Sequence, residues 1–360
     1  MNPLSTRTLN RALLARQFLL ERQPIDVPGA IEHLVGMQAQ SPTAPYRLAG
    51  FAPTHLSDLY TKRGVVRIAL MRSTIHLVTA RDCAALRPLV QPAIDRTTFS
   101  AGRRRLLGLD FDELASAGRA IVEEAPVTFT ELGARLAPRW PDIDPAALAY
   151  AVRALVPLVQ VPPRGLWGAG GPPRHTSIEA WLGRAPARRL VRKGLVLRYL
   201  AAFGPASVRD AQMWSGLTGL REVFDRLRPR LRVFRGPDGR ELFDFPDAPR
   251  PDPDTPAPPR FLPEFDNVLL AHADRARIVA DRHRPAIYRN GIIAPTLLLD
   301  GFARAICAVK RGRKRATLMI RPLDRITRSD RDAAAEEGLR FLEFAAPETD
   351  HDVRFVRSIS

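Results

Sequence analysis

Cysteine is almost absent from this 360-residue chain, which carries only Cys83 and Cys307. Two thiols cannot build a disulfide framework, a multi-cysteine zinc site or an iron–sulfur cluster, so both read as small buried hydrophobes in a reducing compartment. Long apolar runs are missing as well, and none approaches the ~18 residues that a membrane span requires. The opening stretch MNPLSTRTLNRALLARQFLLE lacks the apolar block and cleavage site of a signal peptide. A soluble, cytoplasmic protein with no membrane partner is expected. Lysine is scarce, with Lys62, Lys193, Lys310 and Lys314 the whole complement. Common catalytic signatures are also lacking: there is no Gly-rich loop ending in Gly-Lys-Ser/Thr, no Gly-x-Ser-x-Gly, no Cys-x-x-Cys and no His-Glu-x-x-His. Nucleotide hydrolysis, serine hydrolysis and zinc chemistry are thereby disfavoured. The 7 histidines are scattered, and His272 and His283 do not stand at an i, i+4 helical spacing, so no metal site is expected.

What is abundant is positive charge. Lys and Arg number 55 against 38 Asp and Glu, leaving a formal +17 that should attract polyanions. A genome rich in G and C would explain why Arg replaces Lys, but not why base exceeds acid. With 45% apolar residues the chain can bury a core, and its length accommodates roughly two to three domains.

One pattern recurs: two helices, a third amphipathic helix, then two short strands joined by a Gly/Pro/Arg turn, the order of a winged helix-turn-helix. It is clearest in 181–248, where Leu190, Val191, Leu195, Leu197, Tyr199 and Leu200 populate a first helix, Ser207 caps VRDAQMWSG and 217–227 forms a third helix. There Val233 and Leu242 fall on strands around the turn Gly236-Pro237-Asp238-Gly239. A second copy is read in 111–180: Thr128 caps FTELGARLA, Pro145 starts AALAYAVRAL, and LVQVPPRGLWGAGG supplies strand and wing. A more divergent copy occupies 1–110, with helices near 9–21, 27–37 and 56–63 and a strand pair at VVRIAL and STIHLVT. Residues 249–260 form a Pro-rich linker, expected to be an extended strap. In 261–360 the Asp-Gly of TLLLDGFARAICAV marks a tight hairpin, ATLMIRPL adds a strand, and 331–344 closes the chain as an amphipathic helix. The expected fold class is α+β and helix-rich: tandem winged helix-turn-helix motifs, then a small antiparallel sheet and a closing helix.

Candidate functional residues are few. In IEHLVGMQAQSPTAPYRLAG, Gln38 and Gln40 stand two apart, and in extended backbone such residues point the same way. Two primary amides on one side offer carbonyl acceptors and N–H donors to one small target, a water or a base edge. Spacing alone favours the plainer reading, two loop-capping glutamines. KRGRKR puts five cations in six residues between two strands: Lys310, Arg311, Arg313, Lys314 and Arg315 read as a hairpin tip that grips phosphates or probes a groove, or else as a solvated turn. Arg103, Arg104 and Arg105 form another basic cluster suited to phosphate contact. His76 in STIHLVT either faces DNA or is a plain strand position. Glu264 and Asp266 in PEFDN either assist as auxiliary carboxylates or cap a turn.

LNRALLARQFLLER, LVGMQAQSPTAPY, MRSTIHLVTA, LPEFDNVLLAHADR and APTLLLDGF, in this order over about 9–303, resemble the AlkZ-like DNA glycosylases, a winged-helix family of bacteria. The resemblance implies tandem winged helices and excision of alkylated bases, N7-alkylguanine adducts included, with interstrand crosslinks unhooked by some members. The family's Gln-apolar-Gln signature falls on Gln38, Ala39 and Gln40, which implies that Gln38 and Gln40 are catalytic. A related branch carries Asp at the second position, and this chain does not.

The leading expectation is therefore a monofunctional DNA glycosylase acting, without metal or other cofactor, as a monomer on double-stranded DNA that contains alkylated bases. Alkylation at N7 makes guanine a cationic leaving group, so glutamines, which cannot take up a proton near neutral pH, suffice to orient water. No lysine lies between Lys62 and Lys193 or beside the motif to form a Schiff base. The alternative is a noncatalytic winged-helix regulator reading base edges as a symmetric dimer. Its candidate recognition helices hold few Asn or Gln with which to read adenine. A nuclease is disfavoured because no compact Asp/Glu constellation is visible.

Overall fold

The computed structural model describes residues 3–49, 52–102, 106, 108–183 and 190–359. Two compact units are present: one comprises Met1–Pro24, Leu197–Ala211 and Phe224–Ser360, the other Ile25–Val196 and Gln212–Val223. Helix α1 (Thr6–Arg16) starts where the Ser5 hydroxyl accepts the Thr8 N–H. It stops short of the expected residue 21 because Phe18 adopts φ 59° and turns the chain out of the helix. Helix α2 (Val27–His33), capped by Asp26, also ends early: Val35 (φ 56°) and Gly36 (φ 90°) redirect the chain into β1 (Met37–Gln38). A Cβ on Gly36 would stand 2.7 Å from Val78 Cγ1, so glycine answers both the torsion and the space.

Helices α3 (Ala44–Ala49) and α4 (Pro53–Thr61) lead to the hairpin of β2 (Val65–Ala69) and β3 (Ile75–Thr79), and then to the long α5 (Ala80–Gly102). Next come α6 (Phe111–Glu124), α7 (Phe129–Leu136), α8 (Pro145–Leu155), β4 (Leu158–Gln160), β5 (His175–Ser177) and α9 (Ile178–Leu182). The Thr128 hydroxyl accepts the Glu131 N–H while the Glu131 carboxylate accepts the Thr128 N–H, so α7 begins at the residue the sequence marks. Around α6–α8, Leu114, Val122, Leu132, Leu136, Leu148 and Val152 are fully buried, each contributing about 1.5–3 kcal/mol. All five strands join one antiparallel sheet in the order β1-β3-β2-β4-β5, with Arg67 of β2 opposite Gln160 of β4. Strands read from the first two expected repeats are thus neighbours in a single sheet.

Helices α10 (Arg192–Phe203), α11 (Val208–Ser215) and α12 (Arg221–Leu227) precede β6 (Arg232–Arg235) and β7 (Glu241–Asp244), which pair around the Gly236–Gly239 turn. The bridge between Ala206 and Phe243 adds the short strand that a winged helix places after its first helix, so the element order is compatible with that motif. Ser207 Oγ accepts the Asp210 N–H, as the cap signal requires. Beside it, buried Arg16 and Asp244 form an ion pair at 2.8 Å.

The C-terminal sheet runs β14-β13-β12-β11-β8, from β8 (Arg260–Leu262), β11 (Thr296–Leu299), β12 (Phe302–Arg311), β13 (Arg315–Pro322) and β14 (Asp350–Phe355). Between β8 and β11 lie α13 (Arg284–Ile287) and a ribbon of β9 (Tyr288–Arg289) and β10 (Ile292–Ile293). Asp300 (φ 48°) and Gly301 (φ 78°) make the two-residue turn of β11–β12, the torsions that Asp-Gly favours. Helix α14 (Arg328–Ala345) is present but does not close the chain. It serves as the crossover that lays β14 parallel to β13, an arrangement that needs a long connection. Cys83 and Cys307 are both buried. Among the described residues no helix is long and apolar enough to cross a membrane.

Candidate active site

Gln38 lies on β1 directly opposite His76 of β3, and its side chain is buried, 2% exposed. Gln40, two residues past the end of the strand, is exposed. The two amides are connected: Gln38 Nε2 donates to Gln40 Oε1 at 2.5 Å. Gln38 Oε1 in turn accepts from Arg72 Nη2 at 2.6 Å, and Arg72 Nη1 donates to the Trp214 carbonyl. A charged donor therefore stands at one end of a two-amide chain whose other end opens to solvent. In the folded protein each of the two oxygens already accepts one hydrogen bond and keeps one lone pair.

Arg72 belongs to the tight turn Met71–Ser73 between β2 and β3, where Arg72 (φ 55°) and Ser73 (φ 60°) are both left-handed. Each such residue costs about 1 kcal/mol or more, and the torsion persists only where the surroundings over-determine it. They do so here. Leu70 N–H donates to the Thr74 carbonyl, and Arg153 donates to the carbonyl (2.6 Å) and hydroxyl (3.2 Å) of Ser73. Gly216 packs so closely that a Cβ would stand 3.2 Å from Arg72 N, and Arg96 holds the Gly216 carbonyl.

The backbone of the motif is fixed from beneath. Ala39 N–H donates to the Ile75 carbonyl at 2.8 Å, and Arg67 Nη2 donates to the Ala39 carbonyl at 2.6 Å. Arg67 is buried in β2, with Gln160 Oε1 accepting from its Nε at 3.2 Å. Among the described residues no carboxylate lies within ion-pair reach of it. Burial lowers its pKa to about 10, which leaves it charged at neutral pH. Sequence reasoning missed Arg67, Arg72 and Arg153. The available signal was a lone cation inside the apolar strand VVRIA, since a buried guanidinium requires acceptors.

Other expected site residues are distributed differently. His76 is fully buried, with Thr74 O 2.9 Å from Nδ1. Burial, and then the nearby charge of Arg72, lower its pKa to about 3, so it stays neutral. Alternation along β3 was read correctly, but both faces of this sheet segment are covered. Asp266 is likewise buried; its Oδ1 accepts the Val268 N–H at 2.7 Å, the capping role, and burial raises its pKa to about 7. Glu264 is half-buried. Lys310, Arg311, Arg313, Lys314 and Arg315 form the exposed tip of the β12–β13 hairpin, closed by Gly312 N–H to the Arg315 carbonyl at 2.8 Å. Arg311 donates to the Ala345 carbonyl, which stiffens the base of the tip. Arg103, Arg104 and Arg105 lie outside the described residues. Among the described residues no three His, Cys, Asp or Glu side chains gather as a metal site.

An element order compatible with a winged helix, on a strongly basic chain with an exposed cationic hairpin, is what a protein that handles nucleic acid presents. The comparisons narrow this class: the AlkZ-like DNA glycosylase family matches residues 31–344, and the chain belongs to that family. Among solved structures, Streptomyces sahachiroi DNA glycosylase AlkZ is similar, with 20% sequence identity and a TM-score of 0.80 over 99% of this chain and 100% of that one. No curated protein matches. The chain is accordingly a DNA glycosylase, a hydrolase of N-glycosyl bonds, rather than a noncatalytic regulator.

Proposed function

We propose that the enzyme excises N7-alkylated purines from duplex DNA, with Gln38 and Gln40 holding the attacking water against C1′ of the damaged nucleotide. The observation that carries this reading is the connected amide pair, buried at Gln38, open at Gln40 and anchored by a guanidinium. The lone pair left on each carbonyl suits a water held between them, and fixed dipoles of this kind act without reorganising during the reaction. The electrons of the C1′–N9 bond leave with the cationic base, which departs neutral. Water adds to the oxocarbenium-like C1′ and releases its proton to solvent. No strong general base is required, which matters because an amide cannot serve as one.

The N7 cation, not the size of its substituent, makes the base leave, so bulky adducts and N7-linked interstrand crosslinks fall in the same chemical class. The tip at Lys310, Arg311, Arg313, Lys314 and Arg315 grips phosphates, and the cluster Arg103, Arg104 and Arg105 is assigned the same role. The protein acts as a monomer in the cytoplasm and is monofunctional, since no lysine adjoins the motif.

A duplex carrying one 7-methylguanine, incubated with purified protein in EDTA, tests the reading. Free 7-methylguanine and an alkali-labile abasic site are expected, with no covalent adduct on borohydride treatment. Absence of base release, or a trapped adduct, overturns it.

A further inference from the structure

We propose that Arg72 is a positioning residue for base excision: it sets the polarity of the Gln38–Gln40 amide chain and thereby the orientation in which both amides meet the substrate. The inference rests on the reading of Gln38 and Gln40 given above. A primary amide has two nearly isosteric ends, so nothing in its shape decides which end points where. Arginine removes the ambiguity because it only donates. With Arg72 Nη2 at 2.6 Å, the end of Gln38 that faces it must be Oε1. Gln38 Nε2 is then turned to Gln40, and the group of Gln40 that receives it must be Oε1. One guanidinium thus fixes two amides in series, each bond polarising the next.

The geometry behind Arg72 serves this purpose. Its second nitrogen is held by the Trp214 carbonyl, so the planar fork is fixed at two points. Its backbone is held left-handed by the Arg153 contacts to Ser73 and by Gly216 packed against it. Strained torsions maintained from several sides at the foot of a reactive pair are the signature of preorganisation. Arg67, fixing the Ala39 carbonyl, locates the backbone between the two amides, whereas Arg72 determines which atoms they present.

Without Arg72 the Gln38 amide can rotate by half a turn, and only part of the population retains the productive arrangement. Arg72 is expected to affect the chemical step and not DNA affinity. The test is single-turnover release of 7-methylguanine by Arg72→Met and Arg72→Lys at saturating enzyme, with Kd for the same duplex and thermal unfolding measured in parallel. Arg72→Met should be slower by roughly 10–100-fold with Kd unchanged. Arg72→Lys, which can reach one acceptor but not both, should be intermediate and carries the test if Arg72→Met does not fold. Guanidinium at millimolar concentration should restore part of the Arg72→Met rate, where sodium at equal ionic strength does not. A merely structural role would not show this rescue. In the free protein, the 15N–1H side-chain resonances of Gln38, assigned through Gln38→Ala, should lose their protection in Arg72→Met.

A wild-type excision rate in Arg72→Met, with Gln38 resonances unmoved, overturns the inference while leaving the excision reading intact. Failure of the wild-type protein to excise overturns that reading instead, and the resonances still report whether Arg72 orders the amide.

Discussion

Gln38 donates its amide hydrogen to Gln40 across 2.5 Å, which makes the two residues of the motif chemically unequal. Gln38 must accept on one side and donate on the other, whereas Gln40 only accepts within the pair. Carboxylates accept and do not donate, so the same substitution separates the two positions. Gln38→Glu should keep or strengthen the bond to Arg72, turning it into an ion pair, but it sets its second carboxylate oxygen, in place of the donor Nε2, against Gln40 Oε1. Excision should fall by about 10²–10³ with no loss of melting temperature, the magnitude seen when a preorganised polar contact is removed. Gln40→Glu preserves the chain and should stay within about tenfold of wild type by the same scale. Single-turnover rates with thermal unfolding decide it, and equal losses at both positions refute the directional chain.

Much of the architecture was legible because it is written in local side-chain chemistry. Thr128 and Ser207 start helices through bonds spanning only a few residues, Pro145 stands at the first position of α8 where a missing N–H costs nothing, and Asp300-Gly301 specifies its own turn. Failures of the sequence reading have a common cause in tertiary contact. Apolar periodicity carries α1 and α2 past their ends, because left-handed Phe18 and Val35 are imposed by packing rather than by their own preference. Parallel β14 pairs across a helix, so no local signal announces it. At the site, the glutamine pair was visible as spacing and as a resemblance. Its anchor was not, since Arg72 reaches Gln38 over 34 residues of sequence.

The exposed hairpin tip makes a prediction about DNA affinity. Each phosphate neutralised in duplex DNA contributes about −0.9 to the slope of log K against log salt. Replacing Lys310, Arg311, Arg313, Lys314 and Arg315 by Gln should flatten the slope by at least about 2 and weaken binding equally on unrelated sequences. Anisotropy titrations over a salt series measure it. An unaltered slope shows that the tip does not touch phosphate.

Gly301 should tolerate no side chain. Its φ is 78°, and a Cβ there would stand 2.6 Å from Leu14 Cδ1 and 2.8 Å from Arg11 Nη1, both on α1. Gly301→Ala is expected to destabilise by about 2–4 kcal/mol, combining torsional strain with displacement of α1. Gly291, φ 76° with nothing within 4 Å, isolates the torsion alone, so Gly291→Ala should cost only about 1 kcal/mol. Urea unfolding of both variants gives the comparison; equal costs would mean that the α1 contact is readily relieved.

Asp266 gives the protein a built-in loss of stability as pH rises toward neutrality. Its folded pKa is raised to about 7 from an ordinary 3.8 because burial disfavours the charged form, only partly offset by the Val268 N–H. Below the unfolded value the carboxyl is protonated in both states and contributes no pH dependence. As pH rises from about 4 to 7, the unfolded chain gives up the proton that the folded chain retains, so stability falls across this window and levels off above it. Asp266→Asn keeps an oxygen acceptor for the Val268 N–H and cannot ionise. Its melting temperature should therefore exceed that of the wild type by more at pH 8 than at pH 5. Calorimetry of both proteins at the two pH values measures the difference, and a gap that stays constant or narrows toward pH 8 shows that Asp266 is not held protonated in the folded state.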